Sequence, residues 1–196
     1  MNALTNAAFL IAAAVMWRRT AGLPLARLLC AALAVIGLGS FLFHTFATGW
    51  AALADTMPIL GFILLYLFAA NLHFWRLPWW AALLATAAFF PFAAVTTPWL
   101  SRLPVLGVSS AYLPVPLLIG LYAAGLTRRA PATARGLAIG AAILLVSLSF
   151  RSVDGRACAG WPLGTHFLWH LLNALMLGWM IEVYRRHMLA KDGGGR

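Results

Sequence analysis

Acidic residues are nearly absent: only four Asp and Glu stand in 196 residues, and charged residues of all kinds make up 9%. A soluble domain needs a charged exterior, and a 63% hydrophobic composition is more than one core of this size can hide. The shortage of charge therefore excludes a globular protein in water and makes lipid the main solvent. Cysteine is scarce as well. Cys30 lies in an apolar run and Cys158 in a polar stretch, which excludes a disulfide-built scaffold and disfavours a bridge between the two. No connection is long enough to act as a linker, so residues 1–196 read as one domain closed by a short basic tail, 185–196. The first apolar run has no basic region before it and no small-residue cleavage site after it, so it reads as a retained helix.

What the chain has instead is a succession of apolar runs. Seven can be marked: Ala3 to Trp17, Leu25 to Phe46, Leu53 to Trp75, Trp79 to Val95, Leu103 to Leu126, Leu137 to Phe150 and Thr165 to Tyr184. A bilayer is crossed by about 20 apolar helical residues, so the expected fold class is all-α, a polytopic seven-transmembrane-helix bundle. The breaks carry turn and interface chemistry, as in Thr48-Gly49-Trp50, Arg76-Leu77-Pro78 and Trp161-Pro162-Leu163-Gly164. The first run is short for a span, which places its start at the membrane surface. Pro114 and Pro116, inside the fifth run, are expected to kink it and open an internal chamber.

A net charge of +10 raises the question of nucleic acid, but the 14 Lys and Arg flank the apolar runs rather than lining one face. No nucleic-acid partner is expected. The basic flanks read as topology signals and contacts for anionic lipid. Odd-numbered loops and the C-terminal tail hold 11 of them and even-numbered loops hold 3, Arg102, Arg151 and Arg156. The N-terminus is thus expected outside and the C-terminus in the cytoplasm.

Ionisable groups inside membrane helices are costly and so mark function. Ser40 and His44 end the second run four residues apart, on one helix face; Asp55 follows near the start of the third; His166 and His170 open the seventh with the same spacing. The topology puts all five at one depth, near the outer surface. Three imidazoles from two helices can form a three-histidine zinc site with an open fourth position, the catalytic pattern. Asp55 can then handle the proton of an attacking water, and Ser40 can donate to a developing oxyanion. Simpler roles exist: helix-to-helix hydrogen bonds for the histidines, small-residue packing for Ser40, a helix cap for Asp55. His73 and His187 fall at the opposite end and read as interface residues. Glu182 is expected to pair with Arg185 or Arg186, and Asp154 to form a solvated pair beside Arg151 and Arg156.

Ser40-x-x-x-His44, Asp55 eleven residues on, Asp154-x-x-x-Cys158, His166-x-x-x-His170 with Trp169, and the opening Asn2-Ala3-Leu4-Thr5-Asn6 together resemble the alkaline ceramidase family. That family belongs to a wider group of seven-helix membrane hydrolases that includes the adiponectin-receptor-like proteins. The resemblance implies a zinc-dependent amidase that cleaves the N-acyl bond of ceramide into a fatty acid and a sphingoid base. It implies His44, His166 and His170 as ligands of one catalytic zinc, Asp55 on the catalytic water and Ser40 on the oxyanion. It assigns Asp154 and Cys158 no role. Eukaryotic members bind calcium through an acidic stretch before the first helix; the chain starts too late to include it, so calcium is not expected. The compact, Ala- and Arg-rich chain reads as bacterial, placed in the inner membrane with a periplasmic N-terminus, and its substrate as ceramide or another N-acyl lipid. Two other classes fit the same residues: a non-catalytic lipid-binding or receptor-like protein stapled by structural zinc, and a proton or ion transporter. The missing polar path to the cytoplasmic side disfavours the transporter.

Overall fold

The computed structural model describes residues 1–158 and 160–193. Residues 194–196 of the expected basic tail, Arg196 among them, lie outside the described residues. The elements are α1 (Asn2–Thr5), α2 (Ala7–Arg19), α3 (Pro24–Phe46), α4 (Gly49–His73), α5 (Trp79–Ala87), α6 (Phe89–Leu100), a 3-10 turn (Leu106–Ser109), α7 (Pro114–Leu126), α8 (Pro131–Ala157) and α9 (His166–Gly193). Among the described residues the chain is all helical.

Proline starts these helices more often than it interrupts them. Pro24, Pro114 and Pro131 stand in the first turns of α3, α7 and α8, where the missing N–H is not needed and the fixed φ is already helical. This corrects the expectation for the fifth run. Pro114 and Pro116 open α7 rather than kink it, and the run's first half forms turns around Leu106–Ser109.

Five helices are long and apolar enough to cross a membrane: α3, α4, the nearly continuous α5 and α6 (Trp79–Leu100), α8 and α9 as far as Ala190. The α1–α2 segment breaks at Asn6, and α7 has 13 residues, about 20 Å at the α-helical rise. The helices pack as α3 on α4, α8 on α9 and α7 on α8, with α2 set against both α3 and α9. Leu29, Leu33 and Ile36 of α3, Phe9 of α2, Leu148 of α8 and Ile181 of α9 form the centre of the core. Large apolar side chains such as Leu38, Leu84 and Val95 point outward instead, the arrangement expected where the surroundings are lipid.

α8 and α9 approach closely through small residues. A side chain on Gly136 would run into Val183, and one on Gly140 into Met180. Trp179 Nε1 donates to the Gly136 carbonyl at 2.8 Å in the same seam.

Two helices are longer than their apolar runs. α8 continues past Phe150 through Ala157, because Arg151, Asp154 and Arg156 are compatible with helix and nothing in the run stops it. α9 continues through the basic residues of the tail as one helix. Glu182 accepts from Arg185 (2.8 and 2.9 Å) and Arg186 (2.8 Å), as expected, and also from Arg19 of α2 (3.0 Å). His73 meets the Tyr184 hydroxyl at 3.0 Å and His187 the Thr133 hydroxyl at 2.8 Å, in interhelix contacts at the end of the bundle that holds Glu182.

Candidate metal centre

At the other end, the C-terminal turns of α3, the N-terminal turns of α4 and α9 and the last turns of α8 face one another. Their polar side chains share one small cavity, lined by Ser40, His44, Asp55, His166, His170 and Arg151. The histidine ligand atoms of His44, His166 and His170 lie within 4.8 Å of one another. Their rings sit edge to face, with centroids 4.7 to 5.1 Å apart.

The hydrogen bonds around the rings show which nitrogens face inward. His170 is 1% exposed, and its Nδ1 lies 3.1 Å from the Asn2 carbonyl and 2.9 Å from the Thr5 hydroxyl. A carbonyl can only accept, so Nδ1 carries the proton and Nε2 keeps its lone pair for the cluster. His166 Nδ1 faces Asp154 Oδ2 at 3.8 Å, beyond hydrogen-bond distance, with Nε2 on the other side of the ring. Outer hydrogen-bonding groups that fix ring and tautomer are the usual support for metal-bound histidine. The donor set fits a divalent ion of zinc type, nitrogen-rich and with no thiolate.

Asp154 does not form the solvated pair expected of it. Its Oδ1 accepts from the backbone N–H groups of Thr165 (2.7 Å) and His166 (2.9 Å), so a carboxylate of α8 caps the first turn of α9. The chain reaches that position through Gly164, at φ +59°, where a side chain would also run into Asp154 and Cys158. Asp154 therefore supports His166 at its backbone and stands beside its ring. The Asp154-x-x-x-Cys158 spacing is explained on the aspartate side alone; Cys158 is exposed, with Sγ 3.9 Å from Asp154 Oδ1.

Asp55 is not a helix cap either. α4 begins at Gly49, so Asp55 lies in its second turn, where it faces Ser40 and His44 across the α3–α4 seam. Two residues set that seam. Gly39 packs directly on the Ala54 carbonyl, leaving no room for a side chain. Pro58, four residues beyond Ala54, has no N–H to return to that carbonyl, which frees it for the close approach.

Beside the polar cavity lies a second, half-open space with an almost wholly apolar wall. Ile59, Tyr112, Trp169 and Asn173 line both. The expected internal chamber is met only by this half-open apolar space, which α7 lines with Val115, Leu118 and Ile119 without kinking. Trp169 is held between the two spaces by its backbone carbonyl, which accepts from Ser147 at 3.1 Å, and by an edge contact with Tyr112.

The structure thus brings together all five site residues expected from the sequence. It adds Asn2, Thr5 and Asp154 behind the rings and Arg151 within the cavity. No protein-family model matches the chain, and no curated protein is significantly similar to it.

Proposed function

We propose that the chain is a zinc-dependent amidase of the membrane, similar to the alkaline ceramidases, that hydrolyses the amide bond of ceramide or a related N-acyl lipid. In this reading α1–α2 and α7 are also membrane segments, completing a seven-helix bundle. Its N-terminus is outside, its C-terminus in the cytoplasm, and the site opens toward the outer leaflet. The observation that carries the reading is the convergence of three histidines, Asp55 and Ser40 in a cavity that shares a wall with an apolar chamber. A structural staple needs neither the carboxylate nor the chamber.

His44, His166 and His170 would hold the ion. When bound, zinc supplies Lewis acidity, polarising a carbonyl and lowering the pKa of water to about 7. The protein's own groups do the rest. The acyl chain lies along the apolar wall of the chamber. Asp55 accepts a proton from the attacking water as its oxygen bonds to the acyl carbon. Ser40 Oγ–H donates to the carbonyl oxygen as negative charge gathers there. Asp55 then returns the proton to the nitrogen as the C–N bond breaks, releasing a fatty acid and a free amine.

Purified protein is expected to contain about one zinc per chain. His44→Ala or His166→Ala should lose it, and a chelator should abolish fatty-acid release until zinc is restored. Full metal content in both variants would overturn the assignment. The chamber makes a separate prediction. Ile119→Trp, which fills part of it, should lower kcat/KM for long acyl chains by at least about tenfold relative to short ones. A panel of N-acyl lipids graded in length measures this, and an unchanged length profile would remove the chamber from the reading.

A further inference from the structure

Arg151 is the one arginine or lysine that lines the polar cavity, among the described residues. It lies two turns from the end of α8, where an arginine at a membrane surface ordinarily extends outward to water. This one turns inward. Its guanidinium lies over the rings of Tyr112 (4.8 Å) and Trp169 (5.8 Å), and Nη1 donates to Ser109 Oγ at 3.1 Å. Ser109 Oγ is in turn held by Ser152 Oγ at 2.8 Å, so the group that orients the arginine is itself fixed.

The rings and the serine position the guanidinium without neutralising it. Among the described residues no carboxylate lies within ion-pair distance of Arg151. The two nearby acids have other partners, Asp154 at the start of α9 and Asp55 at Ser40 and His44. A guanidinium has five N–H donors in a planar fork shaped to carboxylate or phosphate, and one serine occupies a single donor. Asp55 shares the cavity and its charge is felt by Arg151 from beyond ion-pair distance, so the fork keeps spare donors; a half-buried, inward-facing guanidinium that no carboxylate touches is a site prepared for an anion.

Its position also says which part of a ligand would carry that anion. Tyr112 and Trp169 line both the cavity and the apolar chamber, whereas Arg151 lines the cavity alone. The guanidinium covers the cavity side of the shared wall. A substrate whose acyl tail fills the chamber would present its amine-derived half to Arg151.

Resting on the amidase reading above, we propose that Arg151 is a specificity-determining residue that binds an oxyanion, carboxylate or phosphate, on the amine-derived half of an N-acyl lipid. The preferred substrate class is then an anionic N-acyl lipid, not the neutral diol of a simple ceramide. The reaction is unchanged: water adds to the acyl carbon, the C–N bond breaks, the proton passes to nitrogen, and the oxyanion leaves with the amine.

The test uses three lipids with the same palmitoyl chain: N-palmitoylglycine, the phosphate ester of N-palmitoylethanolamine, and neutral N-palmitoylethanolamine. Wild-type protein in detergent is expected to favour one or both anionic lipids in kcat/KM, and the two anionic arms distinguish carboxylate from phosphate. In Arg151→Gln the anionic-to-neutral ratio should fall by about 10- to 100-fold, with Arg151→Lys between, because lysine keeps the charge and loses the fork. A wild-type preference for the neutral lipid, or a ratio unchanged in both variants, overturns the proposal. The wild-type comparison does not depend on whether either variant folds. If no lipid is cleaved, binding of the three lipids is followed by tryptophan fluorescence. Tighter, Arg151-dependent binding of the anionic lipids then supports the anion site while the amidase reading falls, and equal binding of all three overturns both.

Discussion

Asp55→Asn is expected to keep its zinc and to lose amide hydrolysis by about 10² to 10⁴-fold, the range found for removing a positioned acid–base group. Asparagine matches the shape of aspartate, so the α3–α4 seam should remain intact. It cannot take a proton from water and hand it to a leaving nitrogen. Metal content by elemental analysis and kcat on one N-acyl lipid separate the two effects. Wild-type turnover in Asp55→Asn would remove the carboxylate from the chemistry. Loss of the metal would instead mean that Asp55 supports the ion, contrary to the role assigned here. Ser40→Ala should be milder than Asp55→Asn, since it removes one oxyanion donor and leaves the proton carrier in place.

Gly39→Ala tests the architecture behind that chemistry. The added methyl group would meet the Ala54 carbonyl, a backbone atom that cannot rotate away. The helices must then separate or slide at the point where Asp55, the next residue, faces Ser40 and His44. Overpacking of this kind costs about 1–3 kcal/mol, and displacing a catalytic group by about 1 Å costs about 10²-fold in rate. The expected result is a lower thermal midpoint together with a loss of activity out of proportion to it. Gly61→Ala on α4 is the control, because a side chain there meets nothing within 4 Å. Equal behaviour of the two variants would show that the close approach at Gly39 is not needed.

Most of the helical layout was legible as hydropathy, since each apolar run corresponds to helix over much of its length. The errors fall where hydropathy carries no information. Arg151 and Asp154 read as loop residues because they are polar, yet α8 extends through both and delivers them to the site. Pro114 and Pro116 read as kinks because they lie within an apolar run, yet a helix begins there, and periodicity cannot distinguish a start from an interruption. Four of the five site residues were legible because the i,i+4 spacing within α3 and within α9 is local, and Asp55 because it follows His44 across a short hairpin. Their support was not. The bond from His170 to Asn2 joins residues at opposite ends of the described chain, and Asp154 meets the start of α9 only after the turn at Gly164 is made. Gly39 and Pro58 belong to different helices, so their joint effect on the Ala54 carbonyl exists only once α3 and α4 are packed.

The ties on α9 have a mechanical consequence. One end is fastened to α1 through His170 with Asn2 and Thr5, and the other to α2 through Glu182 and Arg19. Asn71 joins α4 to Thr86 of α5 and Tyr122 of α7, bracing the far side of the bundle in the same way. α6 has no such fastening: among the described residues its side-chain hydrogen bonds return to its own backbone. Yet its first residue, Phe89, forms part of the chamber wall. That panel of the wall is therefore held to its neighbours by packing alone, while the histidines and their supports are held by hydrogen bonds that reach from α9 to α1 and α8.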